Sequence, residues 1–181
     1  MNKHIISCSF RRATTRLVWL PLACVVALTV GLNWAAATDQ VPYKDAYQAR
    51  RVFPNDINGE QVFIGEGTGT HLGKFTTETH VLVGDAFLDP VSGLLLLPIS
   101  GTGTATAANG DTLLSSFVGF EVLDFSVGGP LHFAGSQQIT GGTGRFTDAT
   151  GSLAFSGLDY GDENISVTTK GTISTVGSNK K

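Results

Sequence analysis

The sequence predicts an all-β protein, a small antiparallel barrel of about eight strands. Beyond residue 60, short apolar and β-branched stretches recur at near-regular spacing with turn residues between them, which is typical of a sandwich or barrel. Glycine supplies 22 of the 144 residues beyond residue 37, about twice its usual ~7% share. Closing a small sheet into a barrel requires bends and bulges, and glycine accommodates both.

Residues 1–37 predict a secretory signal peptide. The basic residues at its head are Lys3, Arg11, Arg12 and Arg16. An apolar run from Leu17 to Leu32 and the small residues of Ala35-Ala36-Ala37 follow, so we expect cleavage after Ala37 and a secreted or periplasmic mature chain that begins at Thr38. An uncleaved anchor is the alternative, because the apolar run is only slightly shorter than the roughly 17–25 residues that span a bilayer.

The next segment, residues 38–59, is polar and contains Pro42 and Pro54, which predicts an N-terminal arm. Within it, Tyr43–Arg51 has the spacing of one short helical turn. The barrel domain is expected over residues 60–181.

Seven strand candidates follow along this domain. They are Glu60–Thr70, Lys74–Val83, Leu94–Ala107, Thr112–Phe125, Leu131–Thr140, Ser152–Leu158 and Ile165–Val176. Pro98 leaves open a division of the third candidate into two pieces. Asn109-Gly110 predicts a hairpin with a type I′ turn, which requires positive φ at both central residues.

Two of these candidates indicate which faces are covered. In Lys74–Val83 the odd-numbered positions are apolar or β-branched, so one face should point inward and the other to solvent. In Thr112–Phe125 both faces are apolar, and the outer face therefore needs a cover. Subunit packing would supply one, so we expect a homo-oligomer.

The run Gly141-Gly142-Thr143-Gly144-Arg145-Phe146, with Gly151 beyond it, resembles the glycine-rich turn of the allene oxide cyclase and dirigent β-barrel superfamily. The resemblance implies a trimer, an acidic residue in the barrel cavity and an apolar ligand whose cyclisation or coupling the barrel directs. We expect these glycines to serve backbone angles and close packing rather than ligand contact.

Composition and spacing disfavour several other functions. Eight of the 12 Lys and Arg but all 15 Asp and Glu lie beyond residue 37, which gives that part a formal charge of −7 and argues against nucleic acid or an anionic membrane surface as partner. Both cysteines, Cys8 and Cys24, precede it, so no disulfide is expected. The glycine patterns complete no phosphate loop and the histidines have no metal-ligand spacing, so we expect neither cofactor nor metal.

The candidate ligand-binding residues are Glu66, His71, His80 and Arg145. Glu60 and Glu66 share a strand face with Val62 and Ile64, and an acid inside an apolar barrel would be poised for proton transfer. The alternative for each glutamate is an exposed strand position. His71 suits a turn in which it bonds a loop carbonyl, and exposure to solvent is the alternative for His80. Arg145 suits either a ligand carboxylate or loop carbonyls.

Two functions follow as hypotheses. The first is an exported barrel that binds a small apolar molecule and directs its cyclisation or coupling, a chemistry that needs little beyond confinement and an acid. The second is a non-enzymatic exported structural or interaction protein with a packed barrel. An open apolar lumen with a convergent Glu or His would favour the first, and a lumen filled by Phe and Leu the second.

Overall fold

The computed structural model describes residues 39–52, 60–124 and 128–174, and every structural statement below concerns these residues. The strands are β1 (Gln40–Val52), β2 (Gln61–Gly69), β3 (Gly73–Val83), β4 (Phe87–Leu88), β5 (Leu95–Ala107), β6 (Thr112–Val122), β7 (Leu131–Gly142), β8 (Gly151–Asp159) and β9 (Asn164–Ser174). A short 3₁₀ helix, Gly144–Phe146, lies between β7 and β8. The predicted signal peptide lies outside the described residues.

The strands form one closed antiparallel barrel. Its order is β3-β2-β1-β9-β8-β7-β6-β5, and β3 pairs with β5 to complete the ring. The two-residue strand β4 adds to the edge of β5. The prediction of an all-β barrel of eight strands is therefore confirmed. Within the described residues, no helix has the length and apolar character needed to span a membrane.

The prediction of an arm with a helical turn is wrong for residues 40–52. They form a barrel strand that pairs with both β2 and β9. Residues four apart share a face in a helix and also in a strand, so the spacing of Tyr43 and Tyr47 fitted either structure. Polar residues on the inward face of β1 concealed the alternation that marks a half-buried strand. Residues 53–59 of the expected arm lie outside the described residues.

β5 runs through Pro98 as one strand, so the division left open at this proline does not occur. Pro98 lies in the gap between the pairing of β5 with β3, which ends at Val83, and its pairing with β4, which begins at Phe87. Its carbonyl accepts a hydrogen bond from the Gly84 N–H at 2.9 Å. The missing N–H of Pro98 therefore removes no hydrogen bond from the sheet. Such a gap in the pairing is a position at which a strand tolerates proline.

The hairpin between β5 and β6 is present, but its turn is not type I′. Gly110 has φ +88°, whereas Asn109 is not among the described non-glycine residues with positive φ. The Gly110 N–H donates to the Ala107 carbonyl, and the Ala107 N–H donates to the Asp111 carbonyl, both at 2.9 Å. This is the three-residue loop in which a type I turn is followed by a left-handed glycine, which the Asn-Gly signal serves equally well.

The barrel interior explains part of the high glycine content. The side-chain tip of Phe155 lies over Gly119 and Gly135, and that of Phe133 lies over Gly157, at positions where a Cβ atom would come within 3.0 Å of the ring. Inward glycines thus make room for aromatic rings from neighbouring strands. This arrangement is a known way of stabilising glycines inside β-structure.

One end of the barrel, here called the capped end, is closed by apolar packing. The 3₁₀ helix inserts Phe146, which is fully buried together with Tyr43 and Ile173. The other members of this core are Leu72, Phe75, Ala107, Leu113, Ile139, Ala149 and Leu153. Turns between β2 and β3, between β5 and β6, and between β7 and β8 converge here.

The glycine run holds the capped end together by its backbone. Gly141 and Gly144 have φ values of +141° and +58°. Gly142 has no such angle but is crowded, since a Cβ there would lie 2.0 Å from the Thr112 carbonyl oxygen and 2.8 Å from the Phe146 Cβ. These positions support the expectation that the run serves backbone geometry and packing.

The outer surface of β6 is apolar and exposed, which confirms that both faces of this strand are apolar. Val118 and Phe120 are 59% and 46% exposed, and the Phe87 ring contacts Phe120 edge-on at 6.0 Å between centroids. Leu82 lies in the same row as Val118, across Ser100 of β5. Leu82, Phe87, Val118 and Phe120 are called the outer patch below.

Candidate functional site

The barrel encloses a cavity of about 290 Å³ beside the capped end. Every residue that lines it has an odd number, because the inward faces of all eight barrel strands happen to share that parity. Its apolar walls come from every barrel strand and include Phe63, Phe75, Val81, Leu97, Ile99, Phe117, Phe133, Phe155 and Val167. The cavity is thus concave and mainly apolar, as sites for small molecules usually are.

Asp45 on β1 places a carboxyl group in this apolar surface. The Tyr43 hydroxyl donates a hydrogen bond to Asp45 Oδ2 at 2.8 Å. Oδ1 is buried and has no hydrogen-bond partner among the described residues. Burial raises the pKa of Asp45, and the polar side chains of Tyr43 and Thr169, which favour the ionised form, only partly offset this effect.

Tyr47, two residues further along β1, adds a third polar side chain to the cavity wall after Tyr43 and Asp45. Burial is the main cause that raises its pKa, with the Asp45 charge adding to it, while the Thr79 side chain acts in the opposite direction. Burial and then Asp45 likewise raise the pKa of Tyr43. Both phenols therefore stay protonated as hydrogen-bond donors, and the Tyr47 ring packs edge-on against Phe75 at 6.1 Å between centroids.

A second polar pair lies on the opposite wall. The Gln137 amide donates to Ser115 Oγ at 2.8 Å, and the Ser115 hydroxyl donates to the Gly103 carbonyl at 3.3 Å. Each hydrogen bond joins residues that line the cavity. The pair adds neutral polar groups to the lumen, and the Ser115 hydroxyl both accepts and donates a hydrogen bond.

Charged residues cluster where the cavity is furthest from the capped end, in the region called the charged end. Arg51 on β1, Glu121 on β6 and Asp159 on β8 all line the cavity there. Burial is the first cause of the raised pKa of Glu121; Asp159 raises it further, and Arg51 lowers it. Glu121 Oε1 is buried without a hydrogen-bond partner among the described residues. The lumen therefore has a carboxyl group near each end.

The prediction that Glu66 lies in the lumen is wrong, because the residues of β2 that face the lumen are Gln61 and Phe63. Glu66 lies exposed on the outer face, where it pairs across the sheet with Gln48 and Thr76. The apolar neighbours that suggested an interior face, Val62 and Ile64, belong to an outer surface, and Ile64 is 47% exposed. The alternative reading of Glu66, an exposed strand position, is correct.

His80 also lies on the outer face of the barrel, together with Glu60. Its Nδ1 is 3.1 Å from Glu60 Oε2, and its Nε2 is 3.0 Å from Glu78 Oε1. The hydrogen bond to Glu78 is the first cause that raises the pKa of His80, and the bond to Glu60 adds to it. The cluster is a surface ion pair outside the lumen.

His71 and Arg145 lie at the capped end. His71 is in the β2–β3 turn with φ +68°, and its Nε2 is 3.2 Å from the Pro42 carbonyl oxygen. It therefore contacts a carbonyl of strand β1, not the loop carbonyl that was expected. Arg145 places its Nε 3.4 Å from Asp111 Oδ2, and its guanidinium lies 5.1 Å from the Phe146 ring centroid. Neither residue lines the cavity. The four candidate residues are therefore not brought together.

Sequence reasoning missed four polar residues of the lumen: Asp45, Tyr47, Arg51 and Glu121. The available signal was the alternation Tyr43, Asp45, Tyr47, Ala49 and Arg51, whose common parity places all five on one face of a strand. Similarly, Glu121 shares parity with Leu113 and Phe117. Assigning residues 40–52 to an arm removed Asp45, Tyr47 and Arg51 from consideration.

Comparisons with protein families, with curated proteins and with solved structures return no match for this chain. The described residues also contain no group of three or more His, Cys, Asp or Glu side chains placed to hold a metal ion. The lumen geometry and the sequence are therefore the basis for assigning a function.

Proposed function

We propose that this protein is an exported β-barrel that binds a small, mainly apolar molecule in its lumen. The observation that carries the proposal is the cavity of about 290 Å³, lined by aromatic and aliphatic side chains around a buried carboxyl group. This volume is close to the lower end of the roughly 300–1,000 Å³ typical of ligand pockets. The basic head and apolar run within residues 1–37 support export.

The lumen also favours binding over a purely structural role. A solidly packed barrel would fill its interior with side chains, whereas this lumen retains about 290 Å³ among its aromatic and aliphatic side chains. An interior lined by a few polar groups at fixed positions is what orients a bound molecule.

The proposal extends to directed cyclisation or coupling of the bound molecule, which the resemblance to the allene oxide cyclase and dirigent barrels implies. A carboxyl group whose pKa is raised by burial, as for Glu121, is suited to donate a proton to a reacting ligand. Confinement by the apolar walls would fix the conformation that reacts.

A neutral fluorescent probe, N-phenyl-1-naphthylamine, tests the binding proposal. We expect its fluorescence to rise and saturate at one probe per chain. Ala105→Phe fills the lumen from β5 and should abolish the signal, whereas Thr104→Phe adds the same ring one position away on the outer face and should preserve it. Equal signals from both variants, with both melting cooperatively, would place the probe outside the lumen and contradict the proposal.

We further propose that a second copy of this chain covers the outer patch, as the two apolar faces of β6 suggested. Exposed apolar surface of this kind commonly marks a subunit interface, and a trimer is expected from the family resemblance. Light scattering should report an oligomer at micromolar concentration, and Val118→Lys should shift it towards monomer. Gln48→Lys, at an exposed position of β1 on the far side of the barrel, is a control for added charge. A monomeric unmodified chain would exclude the assembly.

A further inference from the structure

Two buried carboxylate oxygens without a hydrogen-bond partner among the described residues, Asp45 Oδ1 and Glu121 Oε1, belong to the same cavity. Buried polar atoms are normally satisfied, and each exception points to strain, a bound molecule or ordered water. That both lie along the lumen indicates that its occupant supplies hydrogen-bond donors.

The charges that line the lumen are unbalanced. Its described lining contains three carboxyl groups, Asp45, Glu121 and Asp159, and one guanidinium, Arg51, with no lysine or histidine. Arg51 lies at the charged end beside the last two acids. Asp45 is six residues from Arg51 along β1, a path of about 20 Å at ~3.3 Å per residue. The carboxyl group nearer the capped end therefore has no cation of the lining close to it.

The surroundings of Asp45 suit a cationic head group. Tyr43 already donates to one of its oxygens, so the free oxygen can accept from one further donor. The aromatic side chains of Tyr47 and Phe75 line the same cavity, and aromatic rings attract cations. A desolvated carboxylate gains more from an ammonium N–H than from a neutral hydroxyl, because the charge-assisted bond also neutralises its charge.

We infer that the natural ligand of the lumen is an apolar amine, whose ammonium group pairs with Asp45 while its hydrocarbon part extends along the Phe117 and Phe155 walls towards the charged end. This inference rests on the proposed small-molecule binding and specifies the ligand class. An acid head group is disfavoured at this position by the carboxyl group itself, and a neutral head group leaves the surplus negative charge in place.

Three probes with the same tail, octylamine, 1-octanol and octanoate, separate these head groups by isothermal titration calorimetry. We expect octylamine to bind at least about tenfold more tightly than either other probe, which is the range of one charge-assisted hydrogen bond. Asp45→Asn should remove this preference while retaining 1-octanol. Glu66→Gln, which removes an exposed acid from the outer face, is the matched control and should keep it.

The outcomes separate this inference from the binding proposal. Equal affinity for octylamine and 1-octanol, or tightest binding of octanoate, overturns the amine assignment and leaves the binding proposal standing. If the protein binds N-phenyl-1-naphthylamine but none of the three octyl probes, the amine assignment is also overturned. If neither that probe nor any octyl compound binds, both the assignment and the binding proposal fail.

A second measurement, of the protons released when octylamine binds, uses the unmodified protein and so does not require a variant to fold. Pairing with an ammonium group shifts Asp45 towards its ionised form, so octylamine binding should release protons somewhere between pH of about 4 and 8. Calorimetry in buffers with different ionisation enthalpies measures that release, and 1-octanol should cause none. The groups that face Asp45 are Tyr43 and Tyr47, which stay protonated throughout this range. Octylamine binding without proton release at any of these pH values contradicts the pairing.

Discussion

The two ends of the barrel are built on opposite principles. At the capped end, Phe146 and Ile173 are fully buried among apolar neighbours, and tight turns close the structure. At the charged end, Arg51, Glu121 and Asp159 occupy inward positions that apolar residues could have filled. Packing at the capped end therefore stabilises the fold, whereas partial burial of the charged groups at the charged end destabilises it.

The comparison teaches where stability and function are separated along each strand. The inward face of β1 has Tyr43 in the core of the capped end and Arg51 at the charged end, with Asp45 and Tyr47 in the cavity between them. Residues that are unfavourable for folding cluster where a ligand could compensate for them. We therefore expect mutations at the capped end to reduce stability and mutations at Asp45 to change binding.

The largest effect should come from Phe146→Ala. Removing a fully buried aromatic side chain from a closed core typically costs about 3–5 kcal/mol in the free energy of unfolding. Phe133→Ala is the matched substitution in the lumen, where the ring already borders empty space, and it should cost less than half as much. Urea denaturation measures both values. Similar losses for the two variants would show that the ends do not differ in packing.

Gly142→Ala tests the backbone of the capped end and should have the next largest effect. The added methyl group meets the Thr112 carbonyl oxygen, which is part of the backbone and cannot rotate away, so we expect a loss of about 1–3 kcal/mol. Arg145→Ala in the same turn removes a partly exposed ion pair with Asp111 and should cost below about 1 kcal/mol. If Gly142→Ala unfolds like the unmodified protein but loses a lumen ligand, the glycine run is a contact site.

The sequence predicted most of the fold because the barrel strands from β2 onward alternate or end at clear turn residues. The seven candidate strands beyond residue 60 agree with β2, β3 and β5 to β9 within a few residues. Asn109-Gly110 identified the hairpin but not its turn type, since the same residues suit both two-residue and three-residue loops. β1 was missed because its inward face carries Asp45 and Arg51, which do not look like core residues.

The candidate site could be predicted only in part for the same reason. An acid inside the barrel was expected, but its position depends on which parity of each strand faces inward, and Val62 and Ile64 made the outer face of β2 look like the interior. Parity is decided by closure of the whole barrel rather than by any one strand. Functional residues that break the apolar alternation are therefore the ones that local patterns hide.

The smallest effect concerns the pH dependence of Asp45→Asn. Burial raises the folded-state pKa of Asp45 above its ordinary value of 3.8, so the folded protein holds this proton more tightly than the unfolded chain does. Asp45 therefore contributes most to the free energy of unfolding below pH 3.8, and this contribution is lost as the pH rises through the raised folded-state pKa. Asparagine does not ionise, so the stability of Asp45→Asn relative to the unmodified protein should increase over that interval and then stay constant.

Urea denaturation of both proteins across this pH range measures the difference. Glu66→Gln, an exposed acid on the outer face, should show little such change. Curves for the unmodified protein and Asp45→Asn that stay parallel at every pH would mean that water reaches the carboxyl group freely, and the contrast drawn between the two ends would then not extend into the lumen between them.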